Sequence, residues 1–211
     1  MEITWLGHSC FRLRGRNVAL LTDPFAASSG YTLGKVSAEV VTVSNDHPHH
    51  SAIGDIGGAP VVLDGPGEYE VHSIVISGFR TDSRKKNPDA LRNTAFIYEI
   101  DDVTICHLGD IANVLNAEQI EMCKEANVLL VPVGGHCTIG AAQAAEVIAQ
   151  IEPKIIIPMH YATDTSTVDL EAVDHFLKEM GLAASEPQAK LVVTPSSLPL
   201  EPTVTVMQYN R

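Results

Sequence analysis

The stretch Val40-Val41-Thr42-Val43-Ser44-Asn45-Asp46-His47-Pro48-His49-His50 decides the reading of this chain. Residues 40–44 have the β-branched composition of a strand, and the run stops in a polar turn that carries three histidines within four positions. Imidazole is the commonest protein ligand for borderline metals, and a turn at a strand end can aim neighbouring side chains at one point. A hydrolytic metal site needs three or four nitrogen and oxygen ligands plus an open position for water, more than a local cluster supplies. Two distant candidates stand at the ends of other apolar runs: Asp110 in Cys106-His107-Leu108-Gly109-Asp110, and His160 in Ile157-Pro158-Met159-His160-Tyr161. Three strands would then deliver ligands to one rim of a rigid scaffold. Taken singly, His160 is equally a strand-end histidine held by a hydrogen bond, and Asp110 a helix cap or turn residue.

Outward from this turn, the first half of the chain is a series of short β-branched runs broken by Gly, Pro and Asp. Strands are expected at residues 3–6, 10–13, 18–22, 61–64 and 71–77, with Gly15-Arg16-Asn17 as a tight connection. Residues 94–100 and 103–108 flank Asp101-Asp102, a pair suited to a hairpin turn. Helical patterns then appear at 117–126, 139–151 and 168–180, the last stopping at Gly181, and they alternate with buried strands at 128–133 and 154–158. The tail returns to strand at 191–194 and 204–209. Strands, then helices, then strands again suggest an α+β fold with two central sheets faced by helices, in a single domain spanning 1–211. The polar stretch 82–92 is the expected disordered segment.

Composition narrows the function. The 14 basic against 26 acidic residues give a net charge of -12, which repels a polyanion, so nucleic acid is not an expected partner. The basic cluster Arg80, Arg84, Lys85 and Lys86 is interleaved with Asp82 and Ser83, lacks aromatics and reads as a solvated loop. Cys10, Cys106, Cys123 and Cys137 form no CxxC pair, against a disulfide framework or a zinc ribbon. No apolar run approaches the ~20 residues of a membrane helix, and no leader-like segment opens the sequence. The expectation is a cytoplasmic protein with a small-molecule substrate, compatible with a homo-oligomer and with no membrane partner.

An ordered set of strings carries a family likeness: Trp5-Leu6-Gly7-His8-Ser9-Cys10-Phe11, Thr22-Asp23-Pro24, the histidine turn, Gly65-Pro66-Gly67-Glu68-Tyr69-Glu70, His107-Leu108-Gly109-Asp110, Val131-Pro132-Val133-Gly134-Gly135 and Ile157-Pro158-Met159-His160-Tyr161. Over essentially its whole length the chain resembles the metallo-β-lactamase superfamily, and more narrowly the zinc-dependent hydrolases related to ascorbate-6-phosphate lactonases. The resemblance implies the four-layer αββα sandwich of that fold. It also implies a His-x-His-x-Asp-His turn, from which this chain departs: Asn45 stands at the first histidine and His49 at the aspartate. A further family histidine falls on Ser83 in ungapped matching. Carried over by position, the first metal site keeps only His47 and Asp110, whereas the second keeps His50, Asp110 and His160 with His49 in place of a carboxylate. That set suits one ion rather than two, with zinc expected and manganese or iron as alternatives. His49 is either a replacement ligand or a bystander.

Other residues carry paired readings. The resemblance puts His8 near the metal, in substrate contact or as a proton donor, while a turn histidine bonded to backbone is the plain alternative. His136 either contacts substrate or completes an altered metal site, or is an exposed loop histidine ahead of a helix. His107, inside an apolar strand, suits a buried hydrogen bond, and Cys137 reads as inert rather than as a soft ligand. The expected function is a metal-dependent hydrolase acting on a small ester or lactone. Its metal residues are His47, His49, His50, Asp110 and His160, its catalytic residues Asp110, His49 and His8, and its substrate contacts Asn45 and His136. The alternative is a fold retained as an inactive binding or regulatory module, with an empty site.

Overall fold

The computed structural model describes residues 1–81 and 92–209. The first five strands are β1 (Glu2–Gly7), β2 (Cys10–Arg14), β3 (Ala19–Thr22), β4 (Val40–Thr42) and β5 (Val61–Leu63). The next four are β6 (Gly67–Val71), β7 (Ile74–Thr81), β8 (Asn93–Ile100) and β9 (Val103–His107). Helices α1 (Ala117–Cys123), α2 (Ala141–Ile151) and α3 (Val173–Glu179) then alternate with β10 (Val128–Pro132) and β11 (Ile155–Met159), before the short strands β12 (Leu191–Val192) and β13 (Thr203–Val204). The strands form two mixed sheets, ordered β12-β1-β2-β3-β4-β5 and β13-β11-β10-β9-β8-β7-β6.

Period-two alternation sorts the first sheet's residues between two apolar clusters. Ile3, Trp5, Phe11, Leu13, Leu20 and Val40 turn inward to a core shared with the second sheet. Cys10, Leu21, Val41 and Val43 turn outward, where Phe25, Tyr31 and Ala38 of the β3–β4 connection cover them. Among the described residues, that connection carries a 3₁₀ turn, Ala27–Ser29, in place of an α-helix. In the second sheet β10 and β11 are buried along their whole length, as expected of parallel strands covered on both faces. Helix α2 seals part of the outer face with Ala144, Val147, Ile148 and Ile151, and α1 starts at a capping box in which Asn116 and Gln119 satisfy each other's backbone N–H. This is the α+β sandwich that the sequence implies, with an irregular fourth layer.

Polar bonds between the sheets fix their relative position. The Thr42 and Tyr98 hydroxyls lie 2.7 Å apart, the Thr94 N–H donates to the Ser44 carbonyl at 2.7 Å, and His107 Nε2 donates to the Ser9 carbonyl at 2.8 Å. His107 Nδ1 also accepts the Gly109 N–H at 3.2 Å, so both ring nitrogens are engaged in the buried role expected from sequence.

Three expectations change. The tail strand expected over residues 204–209 is confined to β13 at Thr203–Val204. Residues 71–77 are not one strand but span a hairpin: Val71 ends β6, Ile74 opens β7, and His72 and Ser73 reverse the chain between them with φ of 50° and 61°. The third helix is shorter than residues 168–180: Leu170 is buried in an extended segment, and α3 starts after Ala172, which provides no side-chain cap. Its stop is as expected, with Gly181 at φ 68°. Ser83, and all but Arg92 of the stretch expected to be disordered, lie outside the described residues.

Candidate metal centre

Strands from both sheets end at a common rim, and sharp turns there aim side chains into it. His8 follows β1, Asp23 follows β3, the histidine turn follows β4, Asp110 follows β9, Cys137 follows β10 and His160 follows β11. His8, Asp23 and His160 take positive φ of 51°, 39° and 53°, a conformation that disfavours L-residues and tends to cluster where function demands it. Gly109, at φ 66°, allows close approach: a Cβ there would lie 2.5 Å from Asn93 Oδ1 and 2.6 Å from the Ser44 Cβ.

His50 is the best-held ligand candidate. It is buried, and its Nδ1 lies 2.8 Å from Asp23 Oδ2. Asp23 is itself fixed by the Ser44 N–H at 2.8 Å and the Ser44 hydroxyl at 2.6 Å. Burial alone would lower the His50 pKa, but the hydrogen bond and charge of Asp23 raise it. For Asp23 burial pushes upward, yet His107, His50 and Ser44 together hold the carboxyl below its ordinary range. A carboxylate holding Nδ1 fixes the imidazole's orientation and presents Nε2 outward, as in metal-bound histidines.

Nε2 of His50 lies 4.0 Å from Asp110 Oδ2, and His160 Nδ1 lies 3.6 Å from Asp110 Oδ1. The Asp110 backbone is pinned by its N–H donating to Asn93 Oδ1 at 2.8 Å, and the Asn93 amide donates to Thr81 Oγ1 and the Leu108 carbonyl. The ring centroids of His8 and His160 are 3.9 Å apart, and those of His8 and His50 are 5.0 Å apart. Both ring nitrogens of His8 are buried with no hydrogen-bond partner among the described residues. Burial, then the neighbouring imidazoles, hold the His8 pKa well below its ordinary value, so the ring is neutral, the form that ligates.

These donors fit a divalent metal. His8, His50 and His160 bring ligand atoms within 4.8 Å of one another, and so do Asp110, Cys137 and His160. Ligands of a tetrahedral zinc at about 2.0–2.3 Å stand about 3.3–3.8 Å apart, so small side-chain rotations would close the set. A buried imidazole with both nitrogens unsatisfied costs stability unless something binds it.

The outer half of the histidine turn is different. His47 is exposed and His49 half-buried, and neither belongs to those two groups. His47 Nδ1 accepts the His49 N–H at 3.2 Å, and His49 Nε2 lies 3.1 Å from the Ser28 hydroxyl. Asn45 is engaged within the turn: its Oδ1 accepts the His47 N–H at 3.0 Å and its Nδ2 donates to Ser44 Oγ at 3.3 Å. His136 is exposed, with its Nδ1 3.4 Å from exposed Asp169 Oδ2.

Three residues at the rim had little or no functional weight in sequence. Asp23 was visible only as part of a family string, Asn93 as an unremarked strand start, and Cys137 as an inert thiol. The available signal was a short polar residue bordering an apolar run, Asp23 after one and Asn93 before one, and it is weak.

Comparison with known proteins gives the family. The model of the beta-lactamase superfamily domain matches residues 2–160. A solved structure from Thermotoga maritima, assigned as a Zn-dependent hydrolase of the metallo-β-lactamase superfamily, is 38% identical and superposes with a TM-score of 0.80 over 98% of this chain and 97% of that one. A UPF0173 metal-dependent hydrolase of Archaeoglobus fulgidus is 28% identical over 197 residues, 77% of this chain and 84% of the relative. One from Pyrococcus furiosus is also 28% identical over 197 residues, 77% of this chain and 85% of its own. With a family model across most of its length and a rim of histidines and aspartate where its strands end, the chain belongs to the metallo-β-lactamase superfamily.

Proposed function

We propose that the chain is a metal-dependent hydrolase that holds one divalent ion, zinc, through His50, Asp110 and His160 with His8 beside them, and opens a small ester, lactone or related acyl substrate. The observation that carries this reading is the convergence of three buried imidazoles, one of them with both nitrogens unpartnered, against Asp110 at one rim. The names of the relatives support the reaction class. The substrate class comes from the family resemblance.

An ion bound there would supply Lewis acidity toward the substrate carbonyl and lower the pKa of a water molecule. Asp23 keeps the His50 ring oriented, and Asn93 keeps Asp110 in place. Asp110 takes the proton that the attacking water gives up. His49, half-buried with its ring edge-on to His8 at 5.7 Å and kept neutral by burial and the neighbouring imidazoles, relays the proton that Asp110 took from the water to the leaving oxygen as the acyl–oxygen bond breaks. On this reading the first metal position of the family stays empty, since Asn45 is engaged in its turn and His47 is exposed.

Metal analysis of protein purified without added metal, followed by assays on a panel of aryl esters and lactones, tests the reading. About one zinc per chain is expected, with turnover abolished by chelation and restored by zinc. Binding no tighter than micromolar would sink it. The occupation of Asn45 within the turn also favours a second reading, a binding module. Tight zinc with no turnover across the panel would decide for that.

A further inference from the structure

The strand end after β10 also reaches the rim. Gly134 permits it, since a Cβ there would collide with the His160 carbonyl, and Gly135 turns the chain at φ 63°. The loop is then locked: the Gly135 N–H donates to the Ile139 carbonyl at 3.1 Å, the Thr138 N–H returns to the Gly135 carbonyl at 3.0 Å, and the Thr138 hydroxyl donates to the Ile111 carbonyl at 3.0 Å. Between these anchors Cys137 Sγ is held 3.6 Å from His160 Nε2.

Cys137 differs from the other thiols. Cys10, Cys106 and Cys123 are fully buried in apolar clusters, where burial raises the Cys10 thiol pKa and the mutual contact of Cys106 and Cys123, followed by burial, raises that of Cys106. Cys137 is partly exposed, and its sulfur shares a donor group with Asp110 and His160. His160 also belongs to the group containing His8, the buried ring with two unpartnered nitrogens. The two groups therefore share His160, and the His8 ring lies 3.9 Å from the His160 ring, centroid to centroid.

We infer that Cys137 is a thiolate ligand of this centre, joining Asp110 and His160. The inference rests on the proposed metal binding. On binding, the S–H proton leaves to solvent and the sulfur lone pair takes a coordination position. A sulfur donor beside imidazoles selects zinc over manganese or magnesium, which prefer oxygen. It also supplies a negative donor in a turn system that has an imidazole, His49, at the family's aspartate position.

Cobalt(II) loading of the intact chain tests this without reference to activity. The wild-type protein is expected to show d–d bands together with a thiolate-to-cobalt charge-transfer absorption in the near ultraviolet. Cys137→Ser should lose the charge-transfer absorption and bind zinc about 100-fold more weakly or worse. In metal-free protein one thiol of four should alkylate rapidly with iodoacetamide, and zinc should protect it, a readout that needs no variant. Cobalt d–d bands without charge transfer, or alkylation unaffected by bound zinc, would overturn the ligand role while leaving the metal reading intact. Failure of the wild type to bind cobalt or zinc at all would overturn both.

Discussion

His50 and His47 stand three residues apart in one turn and occupy different chemical worlds. His50 is buried, oriented by a carboxylate that is itself anchored by a backbone N–H and a hydroxyl, and its free nitrogen faces Asp110. His47 is exposed, and its ring lies 4.6 Å from that of His49 with a backbone N–H as its hydrogen-bond partner. Sequence spacing places both beside a strand end. What separates them is the support behind the ring: packing and a second partner fix the direction of His50, which suits it to the ligand role proposed for it, and His47 lacks that support.

The sharpest way to break this contrast is to remove the support. Asp23→Ala leaves His50 Nδ1 and the Ser44 hydroxyl without their buried partner, and urea unfolding of the metal-free protein should show a loss of about 3–5 kcal/mol. Gly109→Ala should cost less, about 1–3 kcal/mol, because the new Cβ meets Asn93 and Ser44 at a backbone conformation that alanine avoids. Retention of full stability in either variant would mean that the rim is not built on these contacts.

Acid provides a finer cut. Burial lowers the pKa of both His8 and His107 below their ordinary value. The unfolded chain therefore binds more protons than the native one as pH falls through about 6.5, so each ring contributes stability that is present above that pH and lost below it, at most about 1.4 kcal/mol per pH unit. His50, with its pKa raised by Asp23, contributes in the opposite sense. Metal-free His107→Gln should thus show a shallower acid loss than wild type in denaturant titrations between pH 7 and 5. A steeper one would contradict the buried neutral ring. The smallest effects belong to the outer turn: His47→Ala and His49→Ala should each shift stability by no more than about 0.5 kcal/mol.

Much of this rim was legible in sequence, for a physical reason. His50, Asp110 and His160 each follow an apolar run, and strand ends of a two-sheet core project into one rim regardless of how far apart they lie in the chain. The supporting shell was not legible. Asp23 and Asn93 act through single hydrogen bonds to residues 27 and 17 positions away, and nothing in local periodicity reports such pairs. Cys137 reaches His160 only because two glycines let the β10 loop double back. The turn at His72-Ser73 was likewise hidden, since neither residue carries the glycine or asparagine signature of its left-handed backbone. That the β3–β4 connection covers the first sheet with a 3₁₀ turn rather than an α-helix could not be read either, because its apolar residues lack helical spacing.

Zinc titration by calorimetry of three proteins, wild type, His50→Ala and His47→Ala, tests the central claim most directly. One site per chain is expected in the wild type, lost or weakened at least about 100-fold in His50→Ala and essentially unchanged in His47→Ala. Two equivalent sites, or equal losses in both variants, would contradict it.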